Sequence, residues 1–114
     1  VSSTVGKAIR AAAAENLVPV ILELGGKSPV IAHSSMSMSD LAQRLAFGKL
    51  WNAGQTCVAP DYLFLQKGKT AEFVENFRSI VKTMYPSLAH NADYTSIIND
   101  KQYNRIQGYL DNAR

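Results

Sequence analysis

Segments of helical and strand-like character alternate along this chain, and that alternation predicts an α/β fold. Three observations carry it. Two short apolar runs, Val18 to Leu24 and Tyr62 to Leu65, have the near-continuous character of strands buried on both faces. Around them, apolar residues recur at helical spacing, at Leu41, Leu45, Ala46 and Leu50 and again at Phe73, Phe77 and Met84. Glycines mark the joints, at Gly25-Gly26, Asn52-Ala53-Gly54 and Lys67-Gly68-Lys69.

Taken in order, Val5 to Asn16 is alanine-rich and favours helix on propensity, with Ser3 or Thr4 as its N-cap. Pro19 follows because it cannot continue a helix. Val20-Ile21-Leu22 then reads as a buried strand that Gly25-Gly26 breaks, and Ser28-Pro29 forces extended backbone. Val30-Ile31-Ala32 is a second short strand. The polar loop His33 to Ser39 offers Ser37 or Ser39 to cap a helix running from Leu41 to about Trp51, with Asp40 in its first turn. Asn52-Ala53-Gly54 ends that helix. After Pro60-Asp61, the strand Tyr62 to Leu65 leads through a turn to a helix capped by Thr70 and stopped at Pro86. Asn91 to Tyr94 is loop, and Asp100 caps a last helix that aligns Tyr103, Ile106 and Leu110.

A chain of 114 residues, 46% hydrophobic and 18% charged, has the make-up of an ordinary globular domain and is long enough to bury a core. Its formal charge of +3 comes from scattered lysines and arginines without interleaved aromatics, which argues against a nucleic-acid surface. No apolar run approaches the roughly 18 residues of a membrane span. One cysteine excludes an internal disulfide and suits a reducing compartment such as the cytoplasm. Val1 opens the chain with no charged-then-apolar leader, and Arg114 closes it at a helix, so we expect a piece of a longer protein.

Two residues stand out chemically. A lone cysteine is more often a small buried hydrophobe than a nucleophile. Cys57, however, follows Gly54-Gln55-Thr56, which is too polar for a core strand, and a preceding helix and nearby backbone N–H groups can stabilise a thiolate or a substrate oxyanion. Glu23 closes an apolar run between Leu22 and Leu24. Its plain reading is a solvent-facing carboxylate, and its flanks suggest instead a partly buried one suited to general-base work near neutral pH. Together a thiol and a carboxylate supply covalent catalysis followed by hydrolysis.

Gly25-Gly26 permits close approach of a backbone or a flat ligand, or simply a tight turn. Neither a dinucleotide GxGxxG nor a P-loop is present, and no cysteine, histidine and acid cluster has metal-ligand spacing. His33 and His90 sit in polar loops and read as surface histidines; a hydrolase pairing Cys57 with either would need a ring beside the thiol, which nothing in the sequence places there. Ser2-Ser3-Thr4 before a helix is a plain N-cap or an anion site at the helix N-terminus.

The segments Leu22-Glu23-Leu24-Gly25-Gly26-Lys27-Ser28-Pro29 and Asn52-Ala53-Gly54-Gln55-Thr56-Cys57 resemble the glutamate and cysteine motifs of the aldehyde dehydrogenase family. Their separation, 57 − 23 = 34 residues, matches the family's spacing as well. Val58-Ala59-Pro60-Asp61-Tyr62 is similar to the branch holding the fatty and aromatic aldehyde enzymes, coniferyl aldehyde dehydrogenases among them.

The resemblance implies a partial doubly wound sheet, a fragment of the family's catalytic domain. About 1–24 would end the nucleotide-binding part and about 25–114 would begin the catalytic part. It implies oxidation of an aldehyde to the acid with NAD or NADP, through a thiohemiacetal and thioester on Cys57, with Glu23 activating the hydrolytic water. Relatives that transfer the acyl group to coenzyme A typically lack this base. Leu24 and Gly25 would lie near the nicotinamide, and Ser2 would contact the cofactor pyrophosphate, although Val1-Ser2-Ser3-Thr4 matches the family's Gly-Ser-Thr only loosely. A homo-oligomeric parent is implied too. The rival expectation is an inactive fragment or protein-interaction remnant of such an enzyme.

Overall fold

A computed structural model describes residues 2–114. In chain order it contains helix α1 (Ser3–Glu15), strand β1 (Ser28–Ile31), helix α2 (Met38–Leu50), a 3-10 turn (Trp51–Gly54), strand β2 (Pro60–Phe64), and helices α3 (Thr70–Met84) and α4 (Asp100–Ala113). The strands pair in parallel with α2 crossing between them, a β-α-β unit of the kind the α/β reading requires. Val30 faces Leu63 and Ile31 faces Phe64. Ala32 extends the ladder by donating its N–H to the Phe64 carbonyl at 3.0 Å. Ser28 lies opposite Pro60 and Pro29 opposite Tyr62, so Asp61 falls in a bulge at the strand entrance.

The core is small. Ala32, Met38 and Leu41 are buried at its centre, with Val30, Leu45, Leu63, Leu65 and Phe73 packed around them. It thus lies where the two-stranded sheet meets α2 and α3. The alanines Ala42 and Ala46 are fully buried, which lets a neighbouring element lie close to α2. The Phe73 and Phe77 rings meet along α3 in a tilted arrangement, with centroids 5.7 Å apart and one helical turn from each other.

The caps refine the sequence reading. Ser2, not Ser3 or Thr4, caps α1, its hydroxyl accepting from the Val5 N–H at 3.2 Å. Ser37 caps α2, accepting from the Asp40 N–H at 3.1 Å while donating to the Asp40 carboxylate at 2.6 Å. Lys69 occupies the N-cap of α3, and Thr70 is already helical; the Lys69 side chain instead pairs with Glu72 at 2.7 Å. Asn99 caps α4, accepting from the Gln102 N–H at 3.0 Å, and Asp100 contributes its charge to the first turn. Ser2, Ser37 and Asn99 have the extended backbone that a side-chain cap needs, whereas Lys69 is αR and makes no side-chain cap bond; only the folded chain shows which residue has which.

One expected strand is absent. Residues 18–27 form no ladder, and Ile21 is 98% exposed. Apolar composition suits a run to a sheet interior, but a strand exists only by pairing. Among the described residues both members of the sheet are β1 and β2. What 18–27 does contact is α1: a β-carbon on Gly6, the one buried residue of that helix, would meet Leu24 Cδ2 at 2.7 Å and Leu22 Cδ1 at 3.5 Å.

Candidate active site

Parallel pairing has a direct geometric consequence. It sets the starts of β1 and β2 side by side, so the segments leading into the two strands arrive at one end of the sheet. Those segments are the ones carrying Glu23 and Cys57.

The contact between them is made of backbone. A β-carbon built on Gly26 would collide with the carbonyl oxygen of Cys57 and would lie 2.9 Å from its carbonyl carbon. Ser28 adds a side-chain bond, its hydroxyl donating to the same carbonyl at 3.3 Å. Of the two adjacent glycines, Gly26 therefore admits a backbone. Gly25 faces open space, with nothing within 4 Å of its would-be β-carbon, which leaves room for a flat ligand.

Cys57 lies in a turn closed by the Ala59 N–H donating to the Thr56 carbonyl at 3.0 Å. Its thiol belongs to an exposed residue, as a nucleophile needs, while Ala59 behind it is buried. Glu23 is exposed too. The expectation of a partly buried carboxylate fails for the same reason as the expected strand: burial of Leu22 and Leu24 on both faces required sheet neighbours that residues 18–27 do not have.

Upstream of Cys57 the backbone is left-handed at three successive residues: Asn52 (φ 52°), Ala53 (φ 53°) and Gly54 (φ 75°). Glycine accepts this at no cost and asparagine tolerates it, but for alanine it costs about 1–2 kcal/mol. Such a turn persists only where its surroundings fix it. The fixing group is Gln55. Its amide nitrogen donates to the Asn52 carbonyl at 3.0 Å and to the Ser96 carbonyl at 3.1 Å, and its amide oxygen accepts from the Ile98 N–H at 3.0 Å. Sequence reasoning used Gln55 only as a sign of polarity beside the cysteine. Its partners lie 41 and 43 residues away, and no local pattern announces them.

Ser2 sits at the N-terminus of α1 as its N-cap. Having accepted one N–H, its hydroxyl retains a proton to donate. Leu24 lays its side chain over Gly6. His33 is bound within its own loop to Ser35 at 2.9 Å, and His90 shares a cavity wall with Ala53; among the described residues neither ring is hydrogen-bonded to Cys57. No helix among the described residues is long and apolar enough to cross a membrane.

A β-α-β unit that joins an exposed thiol turn to a Glu-Leu-Gly-Gly segment is accompanied by sequence similarity along the whole chain. The profile described as "Aldehyde dehydrogenase family" matches residues 1–114, and the chain belongs to that family. It is 54% identical over 113 residues to the probable coniferyl aldehyde dehydrogenase of Pseudomonas aeruginosa, which covers 99% of this chain and 24% of that protein. Among solved structures, the substrate-bound state of Staphylococcus aureus AldH superposes with a TM-score of 0.83 at 40% identity, over 96% of this chain and 24% of that one. The Mycobacterium tuberculosis aldehyde dehydrogenase complexed with NAD+ gives 0.76 at 30% identity, over 96% and 23%. The chain spans about a quarter of the length of these relatives.

Proposed function

We propose that the full-length protein containing this chain oxidises an aldehyde to the carboxylic acid, with Cys57 as nucleophile and Glu23 as general base. The observation that carries this reading is the backbone contact of Gly26 with Cys57, which draws the carboxylate segment and the thiol turn to one end of the sheet.

The Cys57 thiolate attacks the aldehyde carbon; a carbon–sulfur bond forms and the carbonyl electron pair moves to oxygen, held there by the Cys57 backbone N–H. A nicotinamide dinucleotide, when bound, would supply the hydride acceptor; loss of the hydride from this carbon leaves a thioester on Cys57. Glu23 then takes a proton from water, whose oxygen attacks the thioester; the carbon–sulfur bond breaks, freeing the acid and the Cys57 thiolate. Ser2 and the first turn of α1 would hold the cofactor's phosphates, and the backbone at Leu24 and Gly25 would face its nicotinamide ring. The open space over Gly25 and the spare Ser2 proton fit that cofactor, and the NAD+ complex of the Mycobacterium relative supports it.

The similarity to a probable coniferyl aldehyde dehydrogenase favours an aromatic aldehyde, with a fatty aldehyde as the competing substrate class. We extend the same reading to a homo-oligomer in the cytoplasm, to be checked by light scattering and cell fractionation. The exposure of Ile21 and Ile31 (78%) favours a second reading for the 114 residues alone, in which they are inactive without further polypeptide over these side chains.

The test is NADH or NADPH formation from an aromatic and a long-chain aldehyde, in the full-length protein and the 114-residue chain side by side. Cys57→Ala in the full-length protein abolishes both this activity and ester hydrolysis. Retained NADH formation overturns the assignment of the nucleophile, and activity of the short chain overturns the second reading.

A further inference from the structure

We propose that Gln55 is a positioning residue for Cys57, clamping the cysteine turn to the segment at 96–98 through both ends of its side-chain amide; this rests on the reading of Cys57 as the nucleophile.

Cys57 itself is held at its carbonyl, by Ser28 and by the close approach of Gly26. Nothing in that contact fixes the direction from which the chain enters the turn. The entering residues 52–54 are all left-handed, a conformation that L-residues leave readily unless held. Gln55 holds it in two ways. Within the turn, its backbone N–H and its amide nitrogen both donate to the Asn52 carbonyl at 3.0 Å, and the Asn52 amide donates back to the Gln55 carbonyl at 3.3 Å. Across the fold, the same amide nitrogen reaches the Ser96 carbonyl, and the amide oxygen receives the Ile98 N–H.

This arrangement uses both N–H groups and a lone pair of one carboxamide, and all three partners are backbone. Backbone partners cannot rotate away as side chains do, so the clamp sets position as well as attachment. Ser96 and Ile98 are themselves placed by the start of α4, whose Asn99 cap follows directly. The cysteine turn is thereby referenced to α4 on one side and to the β1 entrance on the other. A nucleophile displaced by about 1 Å loses up to roughly 100-fold in rate. Gln55 acts through the turn and needs no contact with substrate.

The experiment uses the full-length protein with two variants. Gln55→Glu keeps the shape and the acceptor for Ile98 but turns a carboxylate toward two carbonyls. Gln55→Met keeps the length and removes every polar contact. Two readouts are taken: kcat and KM for aldehyde oxidation, and the rate of Cys57 alkylation by iodoacetamide, which requires no oxidation chemistry. Both variants are expected to lower kcat by roughly 10- to 100-fold and to slow alkylation, with KM for the dinucleotide unchanged. Wild-type kcat and alkylation in both variants overturn the proposal. So does a loss of dinucleotide affinity equal to the loss of kcat, which marks general unfolding. If Cys57→Ala retains NADH formation, the nucleophile reading fails separately, and the alkylation rate still reports whether Gln55 holds the turn.

Discussion

Gly26 and Cys57 meet backbone to backbone, with no space between them for a single methyl group. The Cys57 carbonyl carbon lies 2.9 Å from where a Gly26 β-carbon would stand, and its Cα lies 3.5 Å away. The two residues are 31 positions apart, 57 − 26, and nothing local requires them to touch. The contact follows from the parallel register of β1 and β2, which delivers both entering segments to the same edge.

Gly26→Ala therefore forces the cysteine turn away from the strand entrance, because the obstacle is main chain and cannot swing aside. We expect a stability loss of about 1–3 kcal/mol and a kcat lower by roughly 100-fold in the full-length protein. Urea unfolding and steady-state kinetics check the two figures separately. A variant as active as the wild type would show that the Cys57 carbonyl can move without consequence.

Gly6→Ala offers the contrast. Its new methyl would meet Leu24 Cδ2 at 2.7 Å, the far end of a half-exposed side chain that can change rotamer. The helix gains roughly 0.5–1 kcal/mol from losing a glycine, and that gain offsets the repacking of Leu24. The unfolding midpoint should stay within a few degrees of the wild type, measured by thermal unfolding.

Glu23→Gln leaves the exposed side chain's shape intact but removes its ability to take a proton from water. In rapid mixing, the variant should release about one equivalent of NADH per site quickly and then turn over slowly, because the thioester waits for hydrolysis. A steady-state rate equal to the wild type, with no burst, removes Glu23 from the hydrolytic step.

Substitution can separate the cap that Ser2 makes from the cofactor contact proposed for it. Ser2→Ala loses the cap and about 1 kcal/mol of α1, whereas Ser2→Gly costs only a few tenths. If the hydroxyl also meets the cofactor phosphate, both variants raise KM for the dinucleotide alike, while only the alanine lowers stability. A KM change confined to Ser2→Ala would assign the residue to capping alone.

Ala53→Gly should stabilise the protein by up to about 1 kcal/mol, since alanine is strained at φ 53° and glycine is not. The denaturation midpoint in urea reads this directly, and a midpoint that falls would mean the left-handed turn carries no strain.

The α/β class was legible because its signals are local. Helical spacing at Leu41 to Leu50 and Phe73 to Met84, and the strand character of Val30 and of Tyr62 to Phe64, each reflect a side of one element facing the core. The thiol in its turn was legible for a similar reason: Gly54-Gln55-Thr56 cannot form a core strand. The strand expected at Val18 to Leu24 was not there, because pairing depends on what lies alongside, and apolar residues alone do not supply it. The exposure of Glu23 follows from that same missing neighbour.

By itself, then, the sequence determined the helices, the two paired strands and the family, and it singled out the two residues proposed to react, since each is written in spacing and residue type over a few turns of chain. Tertiary structure alone decided that Gly26 rather than Gly25 receives the cysteine backbone. It alone decided that Ser28 holds the Cys57 carbonyl and that Gln55 ties the turn to Ser96 and Ile98. These are contacts across about 30 to 43 residues. Their existence depends on strand register and on the course of a loop, and those are fixed only when all the elements pack at once.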